Sequence, residues 1–126
     1  MAFYNRRELL FVYSVKDANP NGDPLNGNAP RKDEETGQIL VSDVRIKRTV
    51  RDQWIREGKD VFVDGETQTL KDRVDKLKEK TASSSAAEAL QKCLDARLFG
   101  ATCALGNESF SWCGPVQMKW ARSLHK

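Results

Sequence analysis

Between Ala18 and Leu40 the chain carries Pro20, Gly22, Pro24, Gly27, Pro30 and Gly37 among Asn and Asp residues. No ordinary helix or strand survives that density. Proline fixes φ and removes a donor, glycine supplies positive φ, and Asn or Asp bonds its own backbone. All the prolines except Pro115 fall here. A long loop over 18–40 is therefore predicted, and a loop above ~15 residues in a compact domain is usually functional or disordered. It divides the chain into a short apolar lead and everything after it. The lead, residues 8–17 (ELLFVYSVKD), predicts a strand rich in Phe, Tyr and Val, apolar on both faces at its start. That pattern suits the middle of a sheet covered on both sides.

After the loop the period changes. A helix is predicted over 43–57, with Ser42 or Asp43 as N-cap and Gly58 as stop. Ile46, Val50 and Trp54 form its inward stripe. Residues 59–64 (KDVFVD) suggest a short extended piece, and 67–80 a second helix with Leu70, Val74 and Leu77 on one face. TASSS at 81–85 is a break. Ser85 and Glu88 have capping-box spacing, and a third helix runs from Ala86 to about residue 95. Strands are predicted from Leu98 through Leu105, around Phe110 and Trp112, and from Val116 to Trp120, with Gly106-Asn107 as a turn and Gly114-Pro115 as a kink. The order strand, loop, helices, strands is an α+β layout.

Composition narrows the partners. The longest unbroken apolar run is Leu9–Tyr13, far short of the ~20 residues that span a bilayer. The first residues lack a signal-peptide pattern, so a cytoplasmic location and no membrane partner are expected. Cys93, Cys103 and Cys113 form no CxxC and have no neighbouring His, which argues against a zinc site or a disulfide framework. Neither a metal nor a cofactor is expected. With 21 Lys and Arg against 18 Asp and Glu, the net +3 is a weak hint of an anionic partner, and distribution matters more.

The charge gathers on the first helix. Arg45, Lys47, Arg48, Arg51 and Arg56 lie between Ser42 and Gly58, with no acidic residue from 45 to 51. Arg45 and Arg48, Arg48 and Arg51, and Lys47 and Arg51 are three or four apart, so they repel by about a few tenths of a kcal/mol per pair. An anionic backbone would relieve that cost, and Arg grips phosphate with two donors. The bland alternative is a solvated basic face. No GxxxxGK[ST], GxGxxG, HExxH or EF-hand spacing is present. Asp17, Asp23 and Asp33 are candidate acid–base or metal groups, although carboxylates in turns usually bond the local backbone. His125, next to the end of the sequence, is poorly placed for catalysis. Phe99, Phe110, Trp112 and Trp120 have the chemistry to stack on bases, with period-two core packing as the competing role. Lys119, Arg122 and Lys126 make a second small basic patch.

Four strings go further: KDANPNGDP (16–24), VSDVRIKRTVRD (41–52), DARLFGA (95–101) and GPVQMKWARSLH (114–125). In order and spacing they resemble the guide-RNA-binding backbone subunits of CRISPR Cascade complexes, within the RAMP superfamily. Subtype I-B is most similar and I-C next. The resemblance runs from the first strand to the last residues. It implies that 1–126 is the N-terminal part of a single domain with a modified RNA-recognition-motif (ferredoxin-like) sheet and insertions. The second half of that sheet would be missing, so the piece is either a fragment or a shortened variant completed by a partner.

The resemblance also implies partners and roles. Such subunits line up head to tail along guide RNA (crRNA), present it to target DNA, and meet the large and handle-binding subunits of the complex. In related type III subunits a Ser, then a Lys, then an Arg four later contact guide phosphates at the opening of the first helix. Ser42, Lys47 and Arg51 match, and helix geometry adds Arg45 and Arg48. Type III relatives also hold a catalytic Asp after the first strand, but the NPNGDP form belongs to the type I branch. A scaffold without catalysis is thus expected. The alternatives are a metal-dependent RNA-cleaving subunit using Asp23 or Asp33, and a structural partner that binds no RNA.

Overall fold

In a computed structural model, residues 4–126 are described. The chain divides into two compact units, one reaching to Leu40 and joined by Ser123–Lys126, the other Val41–Arg122. Helices and short antiparallel strands are mixed, as the α+β reading predicts. The strands form two-stranded ladders.

In the first unit, the segment expected to be an irregular loop is folded into two small turns. Strand β1 (Gly22–Asp23) pairs with β2 (Ala29–Pro30) around a 3-10 turn at Pro24–Asn26. Asp23 caps that turn by accepting from the Leu25 amide at 3.2 Å, and Gly27 supplies the left-handed residue at φ 55°. A second turn closes where Lys32 bridges Ile39, and the Asp33 carboxylate accepts from the amides of Glu35 and Thr36. Ser123 ties the chain end to this turn through the amide and carbonyl of Ile39. Proline and glycine thus punctuate a compact structure, because each turn has an Asp to hold it.

The strand predicted over 8–17 is a correction. These residues pair with no other described segment, and Leu9 and Leu10 are 90% and 88% exposed. Alternating or continuous apolar residues state which surface favours burial. They cannot supply the neighbouring backbone that a ladder requires.

The second unit begins in β3 (Leu40–Val41) and continues in α1 (Asp43–Arg56), α2 (Leu70–Thr81), α3 (Ala86–Lys92) and α4 (Leu94–Phe99). It ends with β4 (Gly100–Leu105), β5 (Glu108–Cys113) and β6 (Ala121–Arg122). Its core lies where α2, α3 and the β4–β5 hairpin meet: Val74, Leu77, Ala89, Leu90, Cys93 and Cys103 are buried there, with Phe110 and Trp112 packed against them. Thr69 and Ser85 cap α2 and α3, so α2 starts at Leu70, three residues later than predicted, and the Ser that closes the 81–85 break also starts the next helix. Glu88 completes the expected box on Ser84, accepting from its amide at 2.9 Å, rather than on Ser85.

Three predicted elements differ. The third helix stops at Lys92 and restarts at Leu94, and helix, not strand, runs through Phe99. Gly100, at φ 90°, ends it and opens β4; a Cβ there would lie 2.5 Å from the Trp112 carbonyl oxygen. Residues 116–120 form no strand. Pro115 has no amide to give, and the Val116 amide donates to the Leu98 carbonyl at 2.9 Å. Residues 59–64 are an irregular strap whose backbone from Val61 to Val63 is bonded by side chains of Arg48, Arg73 and Asp95.

Candidate nucleic-acid interface

Helix α1 forms where the local signals place it. The Ser42 side chain accepts from the Arg45 amide at 3.2 Å, Asp43 sits in the positive first turn, Arg56 in the negative last turn, and Gly58 takes φ 73° beyond the end. The side of α1 that meets the rest of the unit keeps Trp54 of the predicted stripe and widens it to the cations Lys47 and Arg51. Lys47, Arg51 and Trp54, spaced i, i+4 and i+7, lie over the Phe99 ring of α4. Trp54 stacks on it at 5.6 Å, the Arg51 guanidinium carbon lies 5.2 Å from its centroid, and Lys47 Nζ 5.6 Å. Ile46 and Val50 are only half-buried, and none of the helix's residues is fully buried. A helix this basic docks through the stems of its cations as much as through aliphatic residues.

The cations are not alike. Lys47 Nζ is 3.0 Å from the Asp43 carboxylate, and this pairing holds the Asp43 carboxyl below its usual range. Arg48 bonds Asp52 through Nε at 2.8 Å and the Val63 carbonyl at 2.9 Å. Arg51 donates through Nε to Asp95 at 2.8 Å. Arg56 donates to the Gln53 side-chain carbonyl at 3.1 Å. Arg45 is exposed, and among the described residues its guanidinium has no ion pair or hydrogen bond.

Asp95, which no local pattern in the sequence marks as a site residue, organises this side of the unit. It is 1% exposed. Its Oδ1 accepts from the Phe62 amide at 2.6 Å, and Oδ2 accepts from the Val63 amide at 3.1 Å and from Arg51. A buried carboxylate is costly unless its lone pairs are filled, and here two amides and a guanidinium fill them. Other groups of the strap are bonded as well. The Leu94 amide donates to Asp60 O, Arg73 donates to the carbonyls of Val61 and Phe62, and Arg73 pairs with Asp64 at 2.8 Å. The only trace of Asp95 in the sequence is its place at the head of the DARLFGA string.

The remaining candidates lie elsewhere. Phe110 and Trp112 stack on each other at 4.6 Å and pack on the core, whereas Trp120 is 51% exposed. Asp23 and Asp33 hold turns in the first unit, and Asp23 also lies 3.7 Å from Arg31. The three cysteines are free, with Cys93 and Cys103 buried and Cys113 exposed. Among the described residues, no group of three or more His, Cys, Asp or Glu could hold a metal ion. No described helix is long and apolar enough to cross a membrane.

The unit is thus a mixed helix-and-strand fold that mounts a basic helix on a buried carboxylate and an aromatic ring. Residues 5–126 match the family model described as CRISPR-associated protein Cas7. The chain belongs to the Cas7 family. It is 37% identical over 153 aligned positions to a CRISPR-associated protein Cas7 of Haloferax volcanii, covering 100% of this chain and 45% of that relative. The chain therefore spans less than half the length of the curated relative it matches.

Proposed function

We propose that this chain is the N-terminal part of a guide-RNA-binding backbone subunit of a type I Cascade complex, most similar to subtype I-B, acting in the cytoplasm. Its partners are guide RNA, copies of itself placed head to tail, the large and handle-binding subunits, and target DNA by way of the guide. Helix α1 is the grip, with Ser42, Arg45, Lys47, Arg48 and Arg51 as its residues. The observation that carries this reading is the exposed Arg45, whose guanidinium has no partner among the described residues, on the first turn of a capped basic helix in a Cas7-family chain. An unpaired guanidinium on a helix of like charges is favoured by an incoming phosphate.

No catalysis is proposed. Asp23 and Asp33 are the carboxylates that a metal-dependent nuclease would need, and each uses its Oδ1 to hold turn amides. Incubation of a single-stranded RNA with Mg²⁺ should leave it intact. Cleavage that is lost on Asp23→Ala or Asp33→Ala would establish the enzyme instead.

The grip is tested by binding of a labelled single-stranded RNA as a function of salt. Log K should fall with log salt at a slope of about −0.7 per phosphate neutralised. The Arg45→Ala/Lys47→Ala protein should lose about 1.4 units of that slope, one share per cation. Equal slopes for the two proteins, or no salt dependence in the wild type, would sink the reading and favour a structural partner that binds no RNA.

A further inference from the structure

We propose that Asp95 and Phe99 are positioning residues for the RNA grip, holding Arg51 so that its terminal nitrogens face a phosphate while neither residue touches RNA. The inference rests on the reading of α1 as the grip. It starts from how Arg51 is bonded. An arginine offers five donors: one on Nε and four on the Nη1/Nη2 fork. Among the described residues only Nε is used, in the 2.8 Å bond to Asp95. The fork has no acceptor there, and the side chain is still 13% exposed.

The two supports act on different degrees of freedom. Asp95 cannot swing, because its oxygens are also held by the Phe62 and Val63 amides. It therefore fixes the position of Nε and, through the planarity of the guanidinium, limits where the fork can lie. Phe99 presents its ring 5.2 Å from the Arg51 guanidinium carbon and 5.6 Å from Lys47 Nζ, which restrains both cations from the side of α4. An arginine held in this way loses less rotamer entropy on meeting phosphate than a free one. Asp95 and Phe99 are four apart on one helix, so a single element carries both supports.

The test is a double-mutant cycle read by binding of labelled oligouridylate at several salt concentrations. Arg51→Gln should weaken binding roughly tenfold or more, as expected when a charge-assisted hydrogen bond is lost, and should flatten the salt slope by about 0.7. Asp95→Asn should weaken binding in the wild-type background and change nothing further in the Arg51→Gln background, since it acts through Arg51. Phe99→Leu keeps the bulk and removes the ring face, so it covers the case in which Asp95→Asn fails to fold. It should cost about two- to fivefold alone, and nothing in the Lys47→Gln/Arg51→Gln background. Losses that add in the cycles would show that these residues act only through general stability, and would overturn the inference while leaving the grip intact. A wild type without salt-dependent binding would overturn both.

Discussion

Arg51 of α1 and Asp95 of α4 meet Nε to Oδ2 at 2.8 Å across 44 residues of sequence, one side chain 13% and the other 1% exposed. The contact joins a surface helix to the buried side of the unit, and through the Phe62 and Val63 amides it also fixes a strap without regular structure.

That geometry predicts a large stability difference between neighbouring substitutions. Asp95→Ala leaves a half-buried guanidinium and two amides without their acceptor, and should cost about 3–5 kcal/mol. Arg45→Ala removes a group with no partner among the described residues and should stay within about 0.5 kcal/mol of the wild type. Urea unfolding monitored by circular dichroism measures both. Similar midpoints for the two variants would contradict the role given to Asp95.

Asp43 competes with any phosphate for Lys47. Its carboxylate lies 3.0 Å from Lys47 Nζ, and this contact is the largest cause of its lowered pKa. Asp43→Asn should therefore tighten binding of single-stranded RNA at low salt by a few-fold, as one like charge leaves the site and one cation is released. Calorimetric titration against the wild type checks the direction, and weaker binding would refute it.

Gly114 is required for steric reasons alone. It carries no positive φ, but a Cβ there would lie 2.1 Å from the Leu98 carbonyl oxygen and 2.4 Å from the Gly100 nitrogen. Both are backbone atoms, so the crossing of α4's end with the chain after β5 must open. Gly114→Ala should cost about 1–3 kcal/mol or more. Gly27→Ala, which meets nothing within 4 Å and only strains a φ of 55°, should cost about 1 kcal/mol. Thermal melts of the two variants give the order, and an unchanged melting temperature for Gly114→Ala would sink the argument.

The thiols should separate by burial. Desolvation pushes Cys93 up to about 12 and also raises Cys103, whereas Cys113 is exposed. At pH 8 iodoacetamide should label Cys113 first, as mass spectrometry of the intact protein would show, and prior labelling of Cys93 in the folded protein would be the contrary result. The sign of the pH effect follows from the raised value. Cys93 contributes fully below its unfolded pKa of about 9, and the contribution is lost as pH rises towards 12. Cys93→Ala should flatten the alkaline decline between those limits, after allowing for its lost packing.

Several elements were legible because their causes are local. Ser42 and Gly58 bound α1, the Leu70, Val74 and Leu77 spacing places α2's inner face, and Gly106-Asn107 turns the β4–β5 hairpin, each through groups a few residues apart. The i, i+4 pairs of Lys47 with Asp43 and of Arg48 with Asp52 have equally local causes, although the expectation of mutually repelling cations did not include them. Family membership was also written in the strings themselves, since KDANPNGDP and VSDVRIKRTVRD need no fold to be compared.

Tertiary structure decided what depends on distant partners. A run such as Leu9–Val15 has strand composition, but pairing needs a second backbone that spacing cannot name. The strap at 59–64 has β-branched and aromatic residues, yet its amides go to Asp95 and its carbonyls to Arg48 and Arg73. Periodicity placed five cations on one helix. Lys47, Arg48 and Arg56 find partners on their own helix, but only folding left Arg45 without a partner among the described residues and gave Arg51 to Asp95, because a buried carboxylate selects its partners by proximity in space and not along the chain.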